Sequence, residues 1–334
     1  MRLATYNVEW FANLFDDADR LVVDDGWSGR QDVTRAQQIE ALGKVFTAID
    51  ADAVMVIEAP NTGHKQDTVR ALEGFAAAFD LRARKAVIGF ANDTHQEIAL
   101  MYDPAALSAH HDPRGDGQED GAVPRFDGVF RIDLDIDASE DLVQFSKPPL
   151  ELEVRSASGT ALRLIGAHLK SKAPHGARGH DATMRLSIAN RRKQLAEAIW
   201  IRRRIDAHLA EGASVILMGD LNDGPGLDEY EHLFGRSSVE ILLGEDLYDP
   251  HARTALQRRL GAVPTTARFR LNAEERYLQA LLDYVMISPD LMARRPAWRI
   301  WHPFDDARCW RIEELRSALL TASDHFPVTL DIDI

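Results

Sequence analysis

Nine short apolar segments, spread from one end of the chain to the other, constrain the fold more than any other feature. Each is about four to eight residues long, which is typical of β-strands and too short for most helices. Such a chain must build one or more β-sheets. The segments are residues 3–8, 53–57, 98–102, 129–136, 150–154, 162–169, 215–218, 281–287 and 328–332.

Helical patterns lie between several of these segments. Apolar residues recur every three or four positions within residues 39–49, 69–79 and 195–209, which predicts amphipathic helices. Residues 150–154 and 162–169 instead flank a turn-like Ser-Ala-Ser-Gly-Thr sequence, which predicts an antiparallel hairpin. The mixture favours an α/β fold with antiparallel strand pairs and outer helices over a purely parallel, doubly wound sheet.

The strand pattern keeps the same character throughout, so we expect a single domain over residues 1–334. Residues 110–125, rich in Asp, Gly and Pro, predict a loose surface loop within it. No apolar stretch approaches the roughly 20 residues of a membrane span, and no signal-like segment precedes the first strand. The single cysteine, Cys309, rules out an internal disulfide. These features predict a cytoplasmic protein that does not bind membranes.

The formal net charge of the chain is −14 at pH 7. This acidic surplus argues against a broad cationic surface that binds long nucleic acid by releasing counterions. It is compatible with a local basic groove, and it is consistent with carboxylates that bind a metal ion.

Polar side chains able to bind a metal ion or a phosphate follow several predicted strands. Scaffolds commonly place functional sites at strand ends. Each residue alone has an ordinary structural explanation; the sequence GDLND at residues 219–223, for example, suits a polar turn. Their joint order along the chain indicates a function. In that order the residues are Asn7, Glu58, Glu97, His168, Asp220, Asn222, Asp283, Asp324 and His325.

This ordered set resembles the signature of the endonuclease/exonuclease/phosphatase superfamily, which has the DNase I-like fold. Its most specific parts are Gly-Asp-Leu-Asn at 219–222 and Ser-Asp-His at 323–325, followed by a Pro-Val strand. The resemblance implies a four-layered α/β sandwich, with two mixed sheets face to face and helices outside. It also implies hydrolysis of a phosphate ester with Mg²⁺ or Mn²⁺. The candidate ligands are oxygen donors and imidazoles without a thiolate, which suits such a hard ion.

The resemblance divides these residues among the tasks of phosphodiester hydrolysis. Glu58, Asn7 and Asp324 are the predicted metal ligands, a short set that is typical of Mg²⁺. His325 is expected to face the phosphate, with its ring held by Asp283.

The GDLND sequence is expected to provide the group that activates water. Asp220 orients and helps to deprotonate the attacking water, and Asn222 donates to a phosphate oxygen from the same side of an extended backbone. Leu221 points into the core, and Asp223 is expected to be a turn residue.

His168 is expected to make a second phosphate contact or to protonate the leaving group, with Glu97 as its partner by family resemblance. The sequence His-Leu-Lys-Ser-Lys at 168–172, followed by an arginine-rich helix, resembles the bacterial nuclease branch of the superfamily. Lys170, Lys172 and Arg191 are therefore the predicted substrate contacts.

We predict a metal-dependent phosphodiester hydrolase and, within that class, a nuclease. The substrate is nucleic acid, DNA or RNA, or another phosphodiester, and both endo- and exo-action fit. A phosphatase or phosphodiesterase of a small-molecule or lipid phosphate shares the same site and is the alternative. A non-catalytic binding protein is less favoured, because it would normally lack one or more ligands. Trp10 and Phe11 are expected to close the core.

Overall fold

The computed structural model describes residues 1–115, 123–134, 140–174, 176–224, 235–257, 263–271 and 275–334, and most of its strands lie in two sheets. Numbered in chain order, the strands of these residues are β1 (Arg2–Asn7), β2 (Ala53–Ala59), β3 (Lys85–Ile88), β4 (Glu97–Tyr102), β5 (Leu107–His111), β6 (Phe130–Ile132), β7 (Asp141–Val143), β8 (Leu150–Ser156), β9 (Ala161–His168), β10 (Val215–Asp220), β11 (Ala267–Leu271), β12 (Arg276–Ala280), β13 (Asp283–Ile287), β14 (Ala297–Ile300) and β15 (Val328–Asp331).

Helices cover the outer faces of these sheets. In the same residues they are α1 (Arg35–Ile49), α2 (Thr68–Ala78), α3 (His180–Ala210), α4 (Ser238–Leu243), α5 (Pro250–Gln257), α6 (Ala307–Arg311) and α7 (Glu313–Ala322), with 3-10 helices at Phe11–Leu14 and Pro289–Arg294.

The two large sheets are both mixed. The first has the order β14-β15-β1-β2-β4-β3, and β1 and β2 are its parallel pair. The second has the order β13-β10-β9-β8-β5, and β9 and β10 are its parallel pair. Two separate hairpins, β6–β7 and β11–β12, complete the strand pairs of the described residues.

Three apolar layers hold the sheets and helices together. Alternate residues of β2 show the arrangement: Val56 packs with α1, α2 and α7, whereas Ile57 faces the second sheet. In β10, Ile216 faces the first sheet and Leu217 packs towards α3. Because both faces of each sheet are covered, the strands are continuous apolar runs rather than alternating ones.

A residue of helix α1 holds the segment that follows β1 in place. The helix begins at Thr34, whose side chain and that of Gln37 cap each other's backbone N–H groups. Within the helix, the buried amide of Gln38 donates to the carbonyl oxygens of Glu9 and Ala322, at 2.7 and 2.9 Å. These bonds tie the end of β1 to the end of α7, next to the Ser-Asp-His sequence.

The structure confirms the fold class predicted from the sequence, including the antiparallel β8–β9 hairpin. Helix α3 begins about 15 residues earlier than its apolar pattern indicates, because its first half is held by polar contacts. The predicted loop at 110–125 begins inside β5, and its residues 116–122 lie outside the described residues. The same is true of residues 135 and 136 of the predicted strand 129–136. Among the described residues, none of the helices has both the length and the apolarity of a membrane span.

Candidate active site

Strand ends from both sheets meet at one edge of the molecule. The register of β9, β10 and β13 places His168 and Asp283 on either side of Asp220. In the first sheet, β1 and β2 are parallel neighbours whose last residues include Asn7 and Glu58. Because the sheets pack face to face, Nδ2 of Asn7 lies 3.0 Å from Oδ2 of Asp220. The strand ends thus form one cleft.

Oδ2 of Asp220 lies at the centre of this cleft. Nδ2 of Asn7 and of Asn222 lie 3.0 and 3.3 Å from it, and Nε2 of His168 and of His325 lie 3.7 and 3.9 Å from it. The carboxyl is almost completely buried. Burial raises the pKa of Asp220 to about 6. A carboxylate with such a pKa accepts a proton more readily near neutral pH than an exposed one does.

The backbone of the GDLND sequence explains how one strand end presents this cluster. Gly219 has a φ of 142°, and a Cβ added there would stand 1.9 Å from the carbonyl oxygen of Ala167, so glycine is required. Leu221 is buried in the core, as predicted. The extended backbone predicted at Asn222 is wrong: its φ is 49°, and this left-handed turn brings its backbone N–H within 2.8 Å of Oδ1 of Asp220.

Asp223 is a buried ion-pair centre rather than the turn residue predicted. Its carboxylate accepts hydrogen bonds from Nζ of Lys172 at 2.7 Å and Nη1 of Arg191 at 2.9 Å, and from the backbone N–H groups of Gly224 and Ser238. The side chains of Lys172 and Arg191 are only 15% and 1% exposed. Both predicted substrate contacts therefore bind this carboxylate and fasten the segment after β9 to α3.

Lys170 is the third predicted substrate contact, and it has a different environment. Its backbone N–H donates to Oε2 of Glu197 at 2.8 Å, while its side chain is partly exposed. Of the three predicted cations, Lys170 alone is not held by Asp223 in the hydrogen bonds of the described residues.

His325 and Asp283 form a buried pair, with Nδ1 of the ring 2.7 Å from Oδ2 of the carboxylate. Burial alone would lower the pKa of His325, but the carboxylates of Asp283 and Asp220 raise this pKa well above its usual value. The ring is therefore an imidazolium at neutral pH. With Nδ1 held by Asp283, Nε2 faces the centre of the cleft, as the sequence predicts.

His168 has a neighbour that the sequence analysis missed. Nζ of Lys147 lies 2.9 Å from Nε2 of His168 and 3.2 Å from Oε1 of Gln96. Burial lowers the pKa of the Lys147 ammonium, and burial together with this cation lowers the pKa of His168 well below its usual value. The ring is thus neutral. Lys147 precedes two prolines at the entry to β8, in a segment without the strand-end pattern that marked the other cleft residues.

The predicted pairing of Glu97 with His168 is absent from the hydrogen bonds of the described residues. Instead, the Glu97 carboxylate accepts from the side-chain amide of Asn92 at 2.8 Å and from the backbone N–H groups of Asn92 and Thr62. Burial raises the pKa of Glu97 to about 7. Through these contacts, Glu97 joins the loop that contains Thr62 to the loop that contains Asn92.

Three acids form the opposite side of the cleft. Glu58 has a φ of 60° at a bulge in β2, which turns its side chain out of the strand alternation. Burial raises the pKa of Glu58 and of Asp324. Glu9 is a third acid here, which the sequence analysis missed. Burial and the negative charge of Asp324 raise the pKa of Glu9 to about 7. Glu9 lies two residues after Asn7, the spacing that would have indicated it.

The residues of this acidic side fit a hard divalent cation. Oδ1 of Asn7 is buried and has no hydrogen-bond partner, as expected of an oxygen that binds something else. Asn7 pairs with Ile57, the neighbour of Glu58, and its backbone carbonyl accepts from Oγ of Ser323, the neighbour of Asp324. Oxygen donors such as these amide and carboxylate groups are the ligands of Mg²⁺ and Mn²⁺.

Asp220, Asp283 and His325 also lie close enough together to hold a metal ion, with ligand atoms within 4.8 Å of one another. Their hydrogen bonds favour a different role. Asp283 occupies Nδ1 of His325, and Asp220 accepts from two asparagine side chains, which leaves few free lone pairs on this side. The acidic side is therefore the candidate metal site.

Trp10 lies at the rim of the cleft. The predicted core position is wrong for this residue, whose side chain is 46% exposed, and right for Phe11, which is fully buried. Trp10 has a φ of 60°, its indole N–H donates to Oε1 of Glu9 at 3.0 Å, and the ring packs against Gly29. A bulky residue in a left-handed conformation beside such a cleft is typical of a strained functional position.

Comparison with known families agrees with this geometry. The model of the endonuclease/exonuclease/phosphatase family matches residues 4–325, nearly the whole chain. The chain belongs to this family, whose members are hydrolytic phosphoesterases. No curated protein matches the sequence.

Solved structures confirm the fold. TDP2 from C. elegans superposes with a TM-score of 0.52 at 12% identity, over 100% of this chain and 75% of the other. The 3′ phosphatase NExo from Neisseria, bound to a product DNA hairpin, gives a TM-score of 0.50 at 14% identity, over 100% of both chains. At such identities the likeness establishes the DNase I-like architecture alone.

Proposed function

We propose that this protein is a phosphodiesterase that depends on a divalent cation and acts on nucleic acid. The observation that carries the proposal is the convergence of two asparagine amides and two histidine rings on Oδ2 of Asp220, opposite the acidic side formed by Glu58, Asp324 and Glu9. A single-domain organisation and a cytoplasmic location stay predictions from the sequence.

In the proposed mechanism, Asp220 takes the proton of the attacking water, since it is the buried carboxylate at the centre of the cleft. His325, charged and oriented by Asp283, donates from Nε2 to a phosphoryl oxygen whose negative charge grows in the transition state. Asn222 and Asn7 hold the Asp220 carboxylate in one orientation through their amide N–H groups.

The departing oxygen needs a proton or a positive charge. Lys147 and His168 form a hydrogen-bonded pair on that side of the cleft, and the lowered pKa of the Lys147 ammonium suits it to release a proton. Glu58, Asn7 and Asp324 would hold Mg²⁺ or Mn²⁺, which when bound would supply positive charge to the phosphoryl oxygens.

The test is a panel of substrates assayed with Mg²⁺, with Mn²⁺ and with a chelator. It compares bis(p-nitrophenyl) phosphate, p-nitrophenyl phosphate, plasmid DNA and RNA. We expect diester cleavage that the chelator abolishes and that falls steeply with salt on the polymers. Asp220→Asn should lower kcat about 10²- to 10⁴-fold, whereas the control Glu245→Gln, at an exposed acid, should leave it unchanged.

Other outcomes separate the alternatives. Preference for the monoester indicates a phosphatase of a small-molecule or lipid phosphate. Absence of hydrolysis on every substrate, together with absence of metal binding, indicates a non-catalytic binding protein. Full activity of Asp220→Asn would contradict the mechanism while leaving the substrate class intact.

A further inference from the structure

A cavity of about 460 Å³ opens beside the cleft, on the side of Asp324. Its walls come from the segment after β1, the end of α7 and the β11–β12 hairpin. Glu9 and Asp324 line both the cavity and the acidic side of the cleft, so the two spaces are continuous. Of the residues given roles in the proposed mechanism, Asp324 alone is among those that line this cavity in the described part of the chain.

The β11–β12 hairpin is fastened directly to the catalytic segment. The backbone N–H of Arg268 donates to the carbonyl of Asp324 at 2.7 Å, and Ala267 forms a bridge with His325. On the inner face, the ring of Phe269 lies 5.6 Å from the His325 ring, edge to face. The hairpin therefore holds a fixed position relative to the reacting groups.

Two arginines project from the opposite face of this hairpin. Arg268 and Arg270 alternate with Phe269 along β11, so the two arginines share a face, and all three residues line the cavity. The guanidinium of Arg268 lies 3.4 Å from the ring centroid of Tyr277 and 5.4 Å from that of Phe304. Stacking on these rings holds the guanidinium flat and in place.

The carboxylates that line the cavity, those of Glu9, Asp32 and Asp324, form no ion pair with either arginine among the described residues. Among the residues that the structure describes, no acid lies within ion-pair distance of Arg268 or Arg270. By contrast, Arg30 on the far wall pairs with Glu9, and in this acidic chain most buried cations have an acidic partner. The hairpin thus presents two guanidinium groups, neither of them paired with an acid in the described part of the chain, to a cavity that opens into the catalytic cleft.

We propose that Arg268 and Arg270 bind a second phosphate of the substrate, one linkage away from the scissile phosphate. Guanidinium groups bind phosphate through paired hydrogen bonds, and a preoriented guanidinium loses less freedom when it does so. This inference rests on the phosphodiesterase function proposed above. The ligand is an anionic phosphate group, supplied either by the next linkage of a polynucleotide or by a bisphosphorylated small molecule.

The first test compares two substrates that differ only by the second phosphate. These are thymidine 5′-(p-nitrophenyl phosphate) and the same compound with a 3′-phosphate. We expect wild-type kcat/KM to be higher on the second. The Arg268→Ala/Arg270→Ala variant should reduce that advantage about tenfold to hundredfold, and the double lysine variant should retain part of it, because the charge remains.

A matched control uses Arg84→Ala/Arg155→Ala. These two exposed arginines lie near β3 and β8 at the edge of the sheets away from the cleft. This variant should leave the ratio between the two substrates unchanged. Thermal unfolding of all variants checks that the hairpin substitutions leave the fold intact.

Equilibrium binding gives a readout that does not depend on hydrolysis. Thymidine 3′,5′-bisphosphate should bind the wild type more tightly than thymidine 5′-monophosphate does, and the double alanine variant should lose this difference. A ten-nucleotide oligonucleotide and fructose 1,6-bisphosphate are then used as competitors. They show whether the second phosphate comes from a polynucleotide or from a small bisphosphate.

Equal binding of the bisphosphate and the monophosphate by the wild type would overturn the proposal, whether or not the enzyme is active. So would a double alanine variant with wild-type discrimination. Failure to hydrolyse bis(p-nitrophenyl) phosphate while the bisphosphate preference persists would instead refute only the proposed catalytic function.

Discussion

Replacing Glu197 by glutamine should change how the stability of this protein depends on pH. Glu197 lies on α3 under the cleft, is almost fully buried, and accepts the backbone N–H of Lys170 at 2.8 Å. Burial raises the pKa of this carboxyl from 4.5 to about 7. The folded protein therefore holds a proton here at pH values where the unfolded chain has released it.

The sign and size of the effect follow from proton linkage. Between pH 4.5 and 7 the folded state binds more protons than the unfolded state, so this carboxyl destabilises the fold increasingly as pH rises. Below 4.5 the penalty is absent, and above 7 it is complete. A difference of about 2.5 in pKa corresponds to about 3 kcal/mol. Glutamine keeps the oxygen that accepts from Lys170 and removes the ionisation.

The assay is urea unfolding of the wild type and Glu197→Gln at pH 5, 6, 7 and 8. The free energy of unfolding of the variant, relative to the wild type, should increase by about 2–3 kcal/mol across that range. Glu211→Gln, at the exposed end of the same helix, should show little change. If the difference in free energy of unfolding between Glu197→Gln and the wild type stays constant with pH, the raised pKa of Glu197 is refuted.

Three further substitutions test the scaffold and the cleft. Asp223→Ala leaves two buried cations without their carboxylate and should lower the free energy of unfolding by about 3–5 kcal/mol in chemical denaturation. Gly219→Ala places a methyl group against the Ala167 carbonyl and should cost about 2–5 kcal/mol in the same assay. Lys147→Met removes the cation beside His168 and should lower kcat about 10²-fold in a steady-state diester assay; unchanged kcat would exclude Lys147 from the reaction.

The strands and the cleft residues could be predicted because their sequence patterns lie within short segments of the chain. Short apolar runs marked the strands, and the order of the strand-end residues marked the cleft, because a sheet brings neighbouring strand ends to one edge. Asp220, Asn7, His325 and Asp283 accordingly lie together in the structure.

Features that depend on backbone turns and distant packing could not be predicted. Asn222 reaches Asp220 through a left-handed turn that the sequence pattern does not specify. Trp10 is exposed because the chain turns sharply after β1, although it sits beside Phe11 in the sequence. Lys147 enters the cleft from a segment without strand-end signals.

The lysines and arginines show most clearly why a residue's role cannot be inferred from its sequence pattern alone. Lys172 and Arg191 lie in a nuclease-like sequence, but Asp223 neutralises both in the interior, so their charge serves the scaffold. Arg268 and Arg270 lie in a hairpin that no sequence motif marks, but they line a cavity beside the cleft and pair with no acid of the described residues. In a chain of net charge −14, an arginine left unpaired beside a catalytic cleft has positive charge available for a phosphate. Charge pairing, which only the tertiary structure reveals, therefore distinguishes the binding cations from the structural ones.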